Sequence, residues 1–182
     1  MDSPRIIEKR ETRFSKWLTI VERDIIFPGE TEKETYYSVR PYDYVSILAV
    51  THDQRIPLVQ QYRPVLEMES LELPGGLIDT NKSPEETALI ELREETGLIA
   101  SSAKFLGVLS PDPGRLDNQF HCFFVSNVEI NSSIILEKRI NLVWVDFDEL
   151  RKMVLDGRFN SSLQIALLAL ASLKGYVKNL NI

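Results

Sequence analysis

Glu91, Glu94 and Glu95 are the residues of this chain best suited to do chemistry. The signals around them predict a helix over Pro84–Thr96: Ser83 as N-cap, Pro84 at the first position, Glu86 closing a capping box, and Gly97 as C-cap. A wheel reading at about 100° per residue sets Ala88, Leu89, Leu92 and Thr96 on a buried stripe, with Glu91, Glu94 and Glu95 assigned to the other side. Carboxylates spaced i, i+3 and i+4 repel one another and weaken a helix. Such a face is either a solvated acidic surface or a set of oxygen ligands for a hard divalent cation such as Mg²⁺. A helix built only for solubility would intersperse more Lys or Arg, and here only Arg93 intervenes. Upstream, Gly75-Gly76 follows the short run Leu71-Glu72-Leu73-Pro74, where the chain must bend sharply and expose backbone carbonyls.

The run from Gly76 to Leu98 resembles the Nudix box, Gly-x5-Glu-x7-Arg-Glu-U-x-Glu-Glu-x-Gly-U, where U is a bulky aliphatic. Gly76, Glu91, Leu92, Glu94, Glu95, Gly97 and Leu98 match it. Lys82 stands in place of the first Glu and Ile90 in place of the Arg. In the family those two commonly form an ion pair bracing the loop against the helix. Both halves are replaced here, which avoids leaving one charge buried alone. Gln61-Tyr62-Arg63-Pro64, the segment from Leu71 to Asp79, and Pro113 fifteen residues past Leu98 are similar to the ADP-ribose pyrophosphatase branch.

The resemblance covers the chain from about Trp17 to its C-terminal helices. It implies a Nudix-type α/β/α sandwich and metal-dependent hydrolysis of the diphosphate in ADP-ribose or a related nucleoside diphosphate sugar. The products would be a nucleoside monophosphate and a sugar phosphate, and the assembly a homodimer. By the same resemblance Glu91, Glu94 and Glu95, with the Gly75 carbonyl, hold Mg²⁺ (Mn²⁺ being the other candidate), and Glu94 and Glu95 are catalytic. Glu137, in the segment 131–140, is the candidate base. Arg63, Glu72 and Pro113 are candidates for binding substrate, and Trp17 and Tyr36 for sandwiching the nucleobase, often with one aromatic from each subunit.

Plainer readings stand beside these. Trp17 and Tyr36 also suit ordinary strand packing, Arg63 a surface cation, Glu72 a solvent-facing strand position, and Glu137 a solvated loop acid beside Lys138 and Arg139. His52 and His121 lack metal-ligand partners at useful spacing, and Cys122 reads as a small buried hydrophobe.

The elements that must position these groups follow from pattern. β-rich runs fall at Trp17–Phe27, Glu34–Arg40, Asp43–Thr51, Ile56–Tyr62, Leu71–Leu73, Lys104–Ser110, Gln119–Ser126 and Leu142–Phe147, and helices at Asp148–Leu155 and Ser162–Lys174. Strands first with one central helix and helices last predict an α+β layered domain with a mixed β-sheet. The expected division is a β-rich N-terminal segment over 1–42, serving dimerisation and the nucleobase, and a Nudix domain over 43–182. With 182 residues, 43% apolar and 26% charged, the chain can bury a proper core. A net charge of -6 argues against a nucleic-acid footprint and against an RNA-decapping relative. A single cysteine, no apolar signal core and no stretch long enough to span a bilayer make a cytoplasmic protein with no membrane partner the expectation. Two other functions compete: hydrolysis of a different nucleotide sugar such as GDP-mannose, and a non-catalytic ADP-ribose-binding module.

Overall fold

A computed structural model describes residues 2–79, 81–131 and 134–177. Thr80 of the box loop and Ser132–Ser133 ahead of the last strand lie outside them. The chain forms two compact units, residues 1–43 with 110–119, and residues 44–109 with 120–182.

The first unit is an antiparallel meander of β1 (Arg5–Ser15), β2 (Leu18–Ile26) and β3 (Glu34–Arg40). No strand is expected from the sequence at β1, whose alternation is charged rather than apolar and whose residues are almost all exposed. It is held by its ladder to β2 and by charge pairs, of which Arg10 with Glu22 and Asp24 is the centre. Trp17 therefore lies in the turn between β1 and β2 rather than in a strand.

The second unit carries β4 (Tyr44–Thr51), β5 (Ile56–Arg63), β6 (Met68–Glu72), α1 (Pro84–Thr96), β7 (Leu98–Ile99), β8 (Lys104–Leu109), β9 (Phe120–Ile130), β10 (Asn141–Val145), α2 (Phe147–Leu155) and α3 (Ser162–Leu173). β4 and β9 run parallel and the remaining pairs antiparallel, in the orders β4-β9-β7, with β8 also on β9, and β10-β5-β6. The sheet system is mixed, as expected.

β4 is buried on both faces, so its apolar run is continuous rather than alternating. Period-two side-chain geometry sorts that run. Val45, Ile47 and Ala49 pack with Ala88 and Leu92 of α1 and with Phe123 and Val125 of β9. Leu48 and Val50 join Phe120, Cys122 and Phe124 of β9 against Leu167, Leu168 and Ala171 of α3 and Leu150 and Met153 of α2. Helices thus cover both faces, and α1 is fixed by its buried stripe on the face that also receives the Gly75–Gly76 turn.

Candidate active site

α1 begins and ends where its sequence says. Ser83 accepts the Glu86 N–H, Glu86 accepts the Ser83 N–H at 2.8 Å, and Gly97 takes φ 73° with its N–H donating to the Arg93 carbonyl. The wheel reading needs correction at Glu95. Seven residues is close to two full turns, so Glu95 follows Ala88 onto the buried side and is only 3% exposed. Leu89, by contrast, is only half-buried.

The Gly75–Gly76 turn is what encloses Glu95. The Gly75 N–H donates to Glu95 Oε2 at 2.9 Å. Gly75 must be glycine, since a Cβ there would strike the Val45 backbone carbonyl, whereas a Cβ on Gly76 would push the Glu91 carboxylate aside. From the other side, the segment after β9 is tied to the end of α1. Asn131 N–H donates to the Gly97 carbonyl at 2.9 Å and Glu137 N–H to the Glu94 carbonyl at 3.0 Å. That second bond delivers Glu137 to the acidic face. Carboxylate oxygens of Glu91, Glu95 and Glu137 then all lie within 4.8 Å of one another.

The electrostatics follow from that crowding. Burial pushes Glu95 up to about 8, opposed by the Gly75 N–H and reinforced by Glu91, Glu137 and Glu72. Burial likewise pushes Glu91 up to about 7, reinforced by Glu137, Glu94 and Asp79, with Lys82 pulling it down. Three carboxylates close together, two of them desolvated, suit a hard divalent cation by donor type and by charge.

The other sequence candidates distribute as follows. Glu94 points to solvent, its side chain 54% exposed and paired with Arg93 at 3.4 Å, and it stands outside the carboxylate trio. Arg63 and Glu72 bind each other in a bidentate pair, Nε to Oε1 and Nη2 to Oε2, both at 2.6 Å. Together with Gly75 and Gly76 they line a cleft of about 640 Å³.

Trp17, 47% exposed, packs edge-on against Tyr42 with ring centroids 5.9 Å apart. Lys16 Nζ sits over its ring at 4.3 Å. Tyr36 packs on Phe27 and donates its hydroxyl to Glu34 at 3.2 Å. Thr19 pairs with Arg40 and Arg23 with Tyr36, so the β2 positions facing these two regions are four residues, about 13 Å, apart along the strand. The two aromatics do not share one stacking site within the sheet. Pro113 is exposed in the turn 113–115 of the first unit.

Sequence reasoning did not single out Asp79, which bears on Glu91, or Gln164, which bears on the glycine turn. Asp79 sits inside the box loop, where its charge was the available signal. Gln164 had none, being 91 residues from its partner.

Comparison with known proteins agrees with the geometry. The NUDIX domain family model matches residues 41–164. A CMP-5'-(N-acetyl-N-hydroxy-3-aminopropyl)phosphonate hydrolase of Streptomyces rubellomurinus is 28% identical, over 92% of this chain and 82% of the relative. An ADP-ribose pyrophosphatase of Bacillus subtilis is 29% identical, over 84% and 79%. Among solved structures, an ADP compounds hydrolase shares the fold with a TM-score of 0.81 at 24% identity, covering 97% of this chain and 98% of that one.

Proposed function

Because the chain belongs to the Nudix family of hydrolases, we propose that it is a divalent-metal-dependent pyrophosphohydrolase of ADP-ribose or a related nucleoside diphosphate sugar. It releases a nucleoside monophosphate and a sugar phosphate. The observation that carries this reading is the gathering of Glu91, Glu95 and Glu137 around one point. The name of the Bacillus subtilis relative supports the substrate class.

Glu91 and Glu95, with the Gly75 carbonyl, would hold Mg²⁺ or Mn²⁺, and Glu94, released from Arg93, would be a further ligand. Such a cation would supply neutralisation of charge on the phosphoryl oxygens and acidification of the attacking water. Glu137 accepts the proton of the attacking water on a carboxylate oxygen. Arg63, fixed by Glu72 through Nε and Nη2, would donate from Nη1 to the diphosphate. Trp17 supplies a stacking face for the nucleobase, with Lys16 displaced from it, and Tyr36 and Pro113 are further substrate contacts. The exposed apolar side chains of the N-terminal strands, Ile6, Ile7, Phe14 and Tyr37, support a homodimer formed through them. The free, buried Cys122 suits the cytoplasm. Among the described residues no helix is long and apolar enough to cross a membrane.

A substrate panel with Mg²⁺ or Mn²⁺ tests this, reading mononucleotide release. AMP from ADP-ribose is expected. Binding of ADP-ribose without cleavage would indicate a sensor, preferential cleavage of GDP-mannose would change the sugar and base, and cleavage of capped RNA alone would overturn the reading.

A further inference from the structure

Gln164 is the polar exception on an apolar helix. It is 7% exposed, between Leu163 and Ile165 on α3. Its carboxamide turns to backbone: Oε1 accepts the Leu73 N–H at 2.7 Å, and Nε2 donates to the Leu73 carbonyl at 3.4 Å. Leu73 is the first residue past β6, where pairing with β5 has just ended at Val59–Glu72. A carboxamide offers a donor and an acceptor on one planar group, as a peptide does, so Gln164 extends the ladder by one rung.

The residues that follow are tied in turn. The Pro74 carbonyl accepts the Ile47 N–H at 2.9 Å and the Ser46 hydroxyl at 3.0 Å. The Gly75 N–H goes to Glu95, and the Gly76 carbonyl accepts the Val45 N–H at 2.9 Å. Among the described residues, the Gly75 carbonyl takes no hydrogen bond. From Leu73 to Gly76, α3, β4 and α1 hold the backbone, and one carbonyl is left over in the residue whose N–H meets Glu95.

We propose that Gln164 is a positioning residue for the cation site, fixing Leu73 so that the Gly75 carbonyl and Glu95 keep their mutual geometry. This rests on the reading above that those groups hold the ion. Gln164 also reaches the wall of the cleft lined by Arg63 and Glu72. Direct contact with substrate is therefore the rival role, and KM separates the two.

The test measures Mn²⁺ binding to the substrate-free protein by electron paramagnetic resonance, alongside kinetics at saturating Mn²⁺. Gln164→Met keeps the volume and removes both hydrogen bonds. It should weaken Mn²⁺ binding roughly tenfold while KM for ADP-ribose changes less than about twofold. Leu167→Ala, a cavity on the same helix that leaves both Gln164 hydrogen bonds in place, should lower Tm yet leave Mn²⁺ affinity unchanged. If Gln164→Met does not fold, Gln164→Asn, which keeps a neutral carboxamide but draws it back from Leu73 by one methylene, should still weaken Mn²⁺ binding severalfold. Wild-type Mn²⁺ affinity in the folded Gln164 variant, equal weakening in Leu167→Ala, or a raised KM would overturn the proposal. A wild-type protein that binds Mn²⁺ but cleaves no nucleotide sugar would instead refute the proposed function, leaving the Gln164 comparison intact.

Discussion

Two buried carboxylates, one in each unit, are set up in opposite ways. Asp24, 1% exposed, is met by Arg10, Lys33 and the Thr35 hydroxyl, and these hold it well below the usual carboxylate range. Glu95, 3% exposed, is met by one backbone N–H and by further carboxylates, and stands far above that range. The first carries its counter-charge within the chain and stays an anion as a matter of fold. The second is left short of positive charge by its own chain, which is what a site for an exogenous cation requires. Burial of an acid is therefore uninformative until its partners are counted.

Substitution at the two carboxylates should break the comparison most visibly. Glu95→Gln should lower turnover by two orders of magnitude or more while metal-free Tm holds or rises, since one member of a repelling cluster is neutralised. Asp24→Asn should do the reverse, lowering Tm by several degrees with turnover of the folded protein largely kept. Thermal melts and initial rates on both variants check this, and near-wild-type turnover of Glu95→Gln at saturating Mg²⁺ would remove Glu95 from the site.

Trp17 tests whether the first unit contributes anything to function besides structure. Trp17→Ala should raise KM roughly ten- to hundredfold with kcat nearly constant, given about 1–3 kcal/mol for stacking a base. An unchanged KM would leave Trp17 as packing for Tyr42.

A smaller effect is expected at the two box departures. Lys82 already pulls Glu91 down, so its charge reaches the site. Ile90→Arg alone should cut kcat/KM severalfold by adding a second cation that competes with Mg²⁺. Lys82→Glu with Ile90→Arg should restore it by rebuilding a bracing pair. A double-mutant cycle on kcat/KM measures the coupling, and zero coupling would mean the two side chains do not meet.

The smallest effect is the pH dependence of apo stability. Glu91 and Glu95 are raised from 4.5 to about 7 and about 8, so the folded apo protein retains protons that the unfolded chain gives up. Their contribution to stability is complete below about pH 4.5 and is lost as pH rises toward about 8. Asp24 works with the opposite sign: lowered from 3.8, it stabilises above about pH 4 and loses that as pH falls. Apo Tm should decline from pH 5 to 8 by a few degrees, and Mg²⁺ should remove the decline. A flat apo profile over that range would mean the two glutamates are not perturbed.

Much of the site was legible because it is local. The caps of α1, the glycine turn and the acids between them sit within one stretch of chain and obey short-range rules. Glu95 was legible too, since seven residues of helix carry it onto the buried side with Ala88, and the Gly75–Gly76 turn completes its enclosure. Glu137 was nameable by resemblance, but its closeness to Glu91 depends on one backbone bond to Glu94. β1 escaped detection because ladder hydrogen bonds and charge pairs, rather than an apolar face, hold it. Gln164 was invisible because a long-range side chain to backbone bond leaves no periodicity to read.

Proton release on metal binding tests the carboxylate site most directly. Burial and mutual repulsion favour the protonated forms of Glu95 and Glu91, and a divalent cation must displace those protons to bind. Titrating Mn²⁺ into the apo protein by calorimetry, in buffers of different ionisation enthalpy, should show roughly one proton released per ion bound, and fewer in Glu95→Gln. Binding with no proton release, or with equal release in that variant, would contradict a cation held by these carboxylates.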